Sequence, residues 1–315
     1  LSLLGHDTPW REWREASEGS RMHHGWILAG RKGLGKMHFA MQAARELVAE
    51  PGLPQPEDQH PDILVLTHLP KDDKEERKRD EGKAFELKRN IAIAQIRQMQ
   101  QRLNTRPTLG SRRAVIIDPA DDLETSAANA LLKSLEEPAR GTFFLLVAHR
   151  PAQLLPTIRS RCRVLRFPTL DDAAMRGFLA DKAPHVDEAT RDAAIAAAQG
   201  SPGMALDFVE RDLAPVDRLM REIVQSGDRD FILRGRLAQA IGARPDRARM
   251  QAALDLSRSV LGQALETAGD DRMPAIADAH GELVRLAGQA PTYNFDPGLL
   301  AMEIGGLLAS TATPN

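Results

Sequence analysis

The chain has one cysteine, Cys162, in 315 residues. A single thiol excludes an internal disulfide framework and a Cys-based zinc site. No H-E-x-x-H spacing offers paired histidines on one helix face. Long apolar runs are missing too. None approaches the roughly 18 residues of a membrane-spanning helix, and no signal-peptide pattern opens the chain. A cytoplasmic protein without a membrane partner is expected. The chain opens on Leu1 rather than Met, so a few residues are expected to precede it. Aromatics make up only 4%, and Pro and Gly punctuate an Ala- and Leu-rich sequence, which favours helices over a β-sandwich. An excess of one charge is also absent. The net charge of −2 leaves no global basic footprint for nucleic acid. Any such contact must be local or shared with partners.

What is present divides in two. Residues 1–168 alternate short apolar strands with helical patterns, predicting a three-layer α/β domain with a mostly parallel sheet. Strands are expected at Trp26–Ala29, Asp62–Leu66, Ala114–Ile117, Phe143–Val147 and Val164–Phe167. Helical spacing recurs through Ala40, Ala43, Ala44, Leu47 and Val48, over Ile96–Leu103, and over Ala127–Leu135. Residues 71–90 carry eight Lys/Arg against seven Asp/Glu without apolar periodicity, which reads as a solvated loop or hairpin tip. Beyond Pro168 no strand signal appears. Residues 169–212 give three short helices and 213–315 about five more, with Pro215, Pro245, Pro274 and Pro297 at helix starts.

Gly30-Arg31-Lys32-Gly33-Leu34-Gly35-Lys36 fits the phosphate-cradling pattern G-x-x-x-x-G-K between a strand and a helix, where backbone N–H groups and the helix dipole face an anion. The next position needs a hydroxyl for Mg²⁺ but holds Met37, a poor ligand for a hard cation. Val115-Ile116-Ile117-Asp118 reads as the metal-side strand of such a site, with Asp118 as its acid. Pro119 stands where a water-orienting acid belongs, and Asp121 and Asp122 are displaced downstream. ATP hydrolysis by this chain is therefore not expected. Weak ATP or ADP binding stays open, because Gly30, Gly33, Gly35 and Lys36 survive. Ser160-Arg161-Cys162 has the form of an arginine finger, and Arg159 is the competing cation. Cys162 reads as a small packing residue. His23 and His24, adjacent on an extended segment, should point oppositely, into packing or solvent.

The string Ala128-Asn129-Ala130-Leu131-Leu132-Lys133-Ser134-Leu135-Glu136-Glu137-Pro138 places Ala128, Leu131, Leu132 and Leu135 on one helix face. With Thr142–Ala148 and Thr157–Cys162 it resembles bacterial DNA polymerase III clamp-loader subunits, a branch of the AAA+ proteins. The resemblance runs from about residue 5 to residue 210 and includes Arg21–Trp26 and His60-Pro61-Asp62. It is nearest the delta-prime pattern. Met37, Pro119 and Gly203 depart together from the gamma/tau motor pattern, which has a nucleotide-sensing Arg at the Gly203 position.

The resemblance implies an AAA+ domain over 1–168, a helical lid over 169–212 and a C-terminal helical collar over 213–315. It implies a non-motor clamp-loader subunit in DNA replication, with gamma/tau and delta subunits as partners. Primed DNA and the sliding clamp would be reached through the assembly. Arg161 would be offered in trans to a neighbour's ATP. No cofactor is required under this reading. The four-Cys zinc module of many relatives has no counterpart in residues 49–60, so no zinc is expected. An active gamma/tau-like ATPase and a scaffold with a vestigial nucleotide site remain the alternatives.

Overall fold

The structure, a computed structural model, describes residues 5–19, 22–56, 58–290 and 295–312; Arg21 lies outside these. Two compact units divide at 169/170.

The first unit runs α1 (Asp7–Glu18), β1 (Gly25–Ala29), α2 (Lys36–Val48), β2 (Ile63–Leu66), α3 (Asp73–Asp80), α4 (Ile93–Leu103), β3 (Arg113–Ile117), α5 (Thr125–Glu136), β4 (Thr142–Ala148), α6 (Pro156–Arg159) and β5 (Arg163–Arg166). The strands form one sheet in the order β2-β3-β4-β1-β5, and every neighbouring pair is parallel. Successive side chains leave a strand on opposite faces. Trp26, Leu28, Ala114, Ile116, Leu145 and Val147 accordingly pack on one face with Trp13 of α1 and Phe39, Ala40 and Ala43 of α2. Ile27, Val115, Ile117, Phe144 and Leu146 pack on the other with Ile96 and Met99 of α4 and Leu131 and Leu135 of α5. Both faces of the inner strands are covered. This is why they read as continuous apolar runs rather than as alternating ones. The α/β expectation is met.

Buried polar groups fasten the loops. Asp62 is fully buried and accepts the N–H groups of Thr108 (2.6 Å) and Leu109 (2.8 Å). Arg113, also buried, lies 3.7 Å from Asp62 and donates to the carbonyls of Thr105 and Arg106. The loop from α4 to β3 is thus tied to the start of β3.

The segment at 71–90, expected as a solvated loop or hairpin tip, is closed at its base by an antiparallel bridge between Pro70 and Leu87 and contains a helix that was not expected. Asp72 accepts the N–H groups of Lys74 and Glu75 and starts α3, with acids in its first turn and bases in its last, as the helix dipole favours. Lys71 N–H donates to Glu86 O (2.9 Å) and Lys88 N–H to Leu69 O (2.7 Å), closing the base of the insert. Glu75 is buried, pairs with Lys78 and accepts the N–H of Glu86 (2.8 Å). Local charge and capping, not apolar periodicity, hold this helix.

Among the described residues the second unit's only regular elements are helices: α7 (Asp172–Lys182), α8 (Glu188–Ala198), α9 (Pro202–Glu210), α10 (Ala214–Ser226), α11 (Ile232–Ile241), α12 (Arg247–Glu266), α13 (Met273–Gln289) and α14 (Pro297–Ala309). Met175, Leu179, Ile195 and Phe208 from α7–α9 share one apolar core with Val216, Met220, Leu254, Leu283 and Ile304 from α10–α14. The boundary drawn at 212/213 falls inside this core. There Leu213 is buried and donates its N–H to Phe208 O.

The insert is closed at its base by Leu69, Lys71, Glu86 and Lys88. Replacing residues 72–85 by a short Gly-Ser turn should change global stability by less than about 1 kcal/mol in a urea melt. A fall of several kcal/mol would place the insert in the core.

Candidate functional site

The Gly30–Lys36 loop leaves the C-terminal end of β1, which lies between β4 and β5 in the sheet. Gly30 must approach the following chain closely: a Cβ there would lie 2.8 Å from Phe167 O. Gly33 and Gly35 have φ of 81° and 74°, in the left-handed region that glycine adopts without strain. Gly35 is the N-cap of α2.

Lys36 is 2% exposed and turns into its own loop. Its Nζ donates to Gly30 O (2.7 Å) and Arg31 O (2.6 Å). Burial lowers its pKa to about 8, although Asp118 and Asp121 pull it back up. Met37 is half-buried against the apolar cluster of Trp13 and Phe39, so the position a Mg²⁺ ligand would occupy joins the core face.

The other groups on this edge follow β3 and β4. Asp118 comes directly after β3, and burial raises its pKa, with Lys36 and His68 opposing. Pro119 then leads into a short turn of helix over Ala120–Asp122. Asp121 is committed elsewhere. Its carboxylate accepts the N–H groups of His149 (2.9 Å) and Arg150 (3.0 Å) and lies 3.4 Å from the Arg150 guanidinium. Asp122 lies 3.3 Å from His68 Nε2 and accepts from Arg150 (3.1 Å). Neither acid is held where Pro119 stands.

His149, which the sequence reading passed over, follows β4 immediately. Burial, with the positive charges of Lys36 and Lys32, lowers its pKa to about 4 against the pull of Asp121 and Asp122. Its Nδ1 has no hydrogen-bond partner among the described residues. A signal for it existed: in parallel sheets, functional groups gather where strands end, and His149 ends the run Thr142–Ala148.

Arg161 lies at the opposite edge. It follows α6 and precedes β5, and a Cβ on Gly25, the first residue of β1, would lie 3.2 Å from Arg161 O. The five residues of β1 separate it from Gly30, about 16 Å at the rise of an extended strand. Arg161 Nη2 lies 2.6 Å from Glu136 Oε1, and Nη1 donates to Thr157 O (2.9 Å) and Ser160 Oγ (3.3 Å). The Arg161 side chain is 35% exposed. Arg159, the competing cation, is exposed on the same turn. Burial pushes the Cys162 thiol up to about 12, so it is neutral and packs beside Gly25.

His23 and His24 do not diverge as the extended segment suggested. Their rings stack at 4.7 Å and 18°. His23 Nδ1 accepts from Gly25 N–H, and His24 Nε2 contacts Leu135 O (2.8 Å) at the end of α5. Local hydrogen bonds bend the segment and override strict alternation. In the second unit, Gly203 lies in the first turn of α9, behind the N-cap Ser201.

The buried His149 gives a pH test. Its folded pKa lies below the ordinary 6.5, so between about 6.5 and 4 the unfolded chain binds a proton that the native chain does not. Stability should fall as pH drops through that window. In denaturant melts at pH 7 and pH 5, His149→Gln should lose less stability than the parent, by about 1–2 kcal/mol. Equal losses would remove His149 from this role.

A model of the family "DNA polymerase III, delta subunit" matches residues 5–171. The delta' subunit of DNA polymerase III from Pseudomonas aeruginosa is 30% identical over 208 residues, covering 62% of this chain and 58% of that protein. The Bacillus subtilis delta' subunit is 30% identical over 182 residues, covering 54% of this chain and 50% of that protein. The tau/gamma subunit from Haemophilus influenzae is 27% identical over 217 residues, covering 66% of this chain and 30% of that protein. The chain spans about half the length of the delta' relatives it matches.

Proposed function

The chain belongs to the DNA polymerase III delta-prime family, and from that premise we propose that it is the non-motor subunit of a sliding-clamp loader, acting in DNA replication. It stands in a ring with gamma/tau and delta subunits and offers Arg161 to ATP bound by a neighbour. It helps load the clamp onto primed DNA without turning over ATP itself. The AAA+ unit carries the finger, α7–α9 act as its lid and α10–α14 serve as the collar that joins the ring.

One observation carries this reading. The finger and the chain's own phosphate loop lie at opposite edges of one parallel sheet, separated by the length of β1. A guanidinium placed there serves a phosphate held by another molecule. Its own loop adds the complement. Lys36 is spent on the loop's carbonyls, Met37 offers no oxygen to Mg²⁺, and Pro119 cannot orient water. Any nucleotide that binds this loop must first draw Lys36 away from Gly30 and Arg31. No cofactor or zinc is needed for the role.

The chemistry asked of Arg161 is electrostatic. A guanidinium is charged at every accessible pH and forks onto phosphate oxygens as charge develops in the transition state. Arginine fingers in GTPases contribute about 10³–10⁵ in rate.

The test is ATP turnover by a loader reconstituted with variants of this chain, in the presence of clamp and primed DNA. Arg161→Ala should leave the chain folded and able to enter the assembly. Turnover should fall to the level of the sites that keep their own fingers, the affected site losing about 10³-fold or more. Arg161→Lys should rescue poorly, since an ammonium cannot reproduce the bidentate fork. Lys36→Ala should change turnover little, and the chain alone should not hydrolyse ATP. A loader crippled by Lys36→Ala and indifferent to Arg161→Ala would make this chain a gamma/tau-like motor.

A further inference from the structure

Glu136 is the last residue of α5, where the helix dipole is negative and a carboxylate is unfavourable. The same helix end already has its Leu135 carbonyl in contact with His24 Nε2 (2.8 Å). A negative charge in that place calls for a compensating partner, and it has one. Glu136 Oε1 lies 2.6 Å from Arg161 Nη2. The pair is about half exposed, at 48% and 35%, and ion pairs in that setting add little to folding. Its effect is on geometry.

Arg161 is gripped from two sides. Nη1 is held by Thr157 O and Ser160 Oγ from its own turn, and Nη2 by Glu136 from α5. The first two acceptors move with the turn that carries Arg161. Glu136 is the one acceptor that reaches Arg161 from a different element, and that element is anchored: Leu131 and Leu135 of α5 lie in the core, beside Ile158 of α6. A long, rotamer-rich side chain at a subunit edge is thereby referenced to the rigid body of the domain. The guanidinium keeps further N–H groups for a phosphate, because these contacts do not exhaust its five donors.

We infer that Glu136 is a positioning residue for the finger: its carboxylate sets the direction in which Arg161 projects, so that little ordering is left for the moment of reaction. This rests on the trans-acting role proposed for Arg161. Glu136 touches neither nucleotide nor reacting atoms and acts only through Arg161.

Two measurements test it. The first is a double-mutant cycle in the reconstituted loader with clamp and primed DNA. Glu136→Ala should lower kcat for ATP hydrolysis by half or more of the loss that Arg161→Ala causes, with KM for ATP nearly unchanged. Glu136→Gln should recover part of it, because the amide oxygen still accepts. Glu136→Ala should add nothing in the Arg161→Ala background. The second uses the full chain alone. The Arg161 side-chain ¹⁵N NMR signals should report restricted rotation that Glu136→Ala releases and Glu136→Gln partly keeps. A silent Glu136→Ala beside a costly Arg161→Ala overturns the role of Glu136 and leaves the finger standing, as does a loss that adds fully to that of Arg161→Ala. A silent Arg161→Ala overturns the function proposed above and this role with it. Unchanged Arg161 signals in Glu136→Ala overturn the pairing itself.

Discussion

The C-terminal edge of the sheet is organised around one buried positive charge. Lys36 holds its ammonium against two carbonyls of its own loop, almost out of solvent. A shift from 10.5 to about 8 corresponds to roughly 3 kcal/mol of penalty for the charged form at neutral pH. That penalty is full below pH 8 and is relieved as pH rises towards 10.5, because the unfolded chain then binds the proton the native chain has lost. The neighbours adjust to the charge. Asp118 and Asp121 offset it, and His149 stays neutral beside it. Asp121 cannot leave to do chemistry without releasing the backbone of His149 and Arg150.

The parallel sheet then separates two kinds of work. Gly30, Asp118 and His149, which follow β1, β3 and β4, gather around the buried lysine. What precedes β5, namely Arg161 and the end of α5 beneath it, lies at the other edge. A five-residue strand is too long for any rotamer of arginine to cross. The separation is therefore set by strand direction rather than by side-chain choice. A substitution at one edge should reach the other only through the body of the sheet.

Much of this was legible in the sequence because the informative residues obey local rules. The inner strands β1, β3 and β4 were visible as apolar runs, since a strand covered on both faces leaves no polar alternation to hide it. The partly exposed edge strands β2 and β5 were still marked by Ile63, Leu64 and Leu66 and by Val164, Leu165 and Phe167. The helices beyond Pro168 were visible because Pro215, Pro274 and Pro297 sit in their first turns and Asp187 caps α8. The insert's helix was not visible, because α3 rests on the Asp72 cap and on charge pairs and shows no apolar face. The parallel stacking of His23 on His24 was missed because period-two reasoning assumes a regular strand, while Gly25 N–H and the α5 terminus set these side chains. Nor could spacing reveal that Lys36 reaches back to Gly30 and Arg31, or that Glu136 reaches Arg161. The first depends on how far the loop folds over itself. The second joins residues 25 positions apart through the packing of α5 and α6.

The pattern of what the phosphate loop keeps and what it lacks has a physical reading. Gly30 is required by the approach to Phe167, and Gly33 and Gly35 by their left-handed backbone. Lys36 satisfies two carbonyls of the turn. Each of these residues has a task in the folded chain whether or not a nucleotide is present. Met37 and Pro119 occupy the positions whose task would exist only with Mg²⁺ and an attacking water. In this protein Met37 packs on the core, and Pro119 leads into the turn that delivers Asp121 to the end of β4. Residues with a folding task thus suffice to keep the outline of a phosphate loop in the folded chain. The motif therefore reports on the fold, and the role proposed for Arg161 rests on separate residues at the far end of β1.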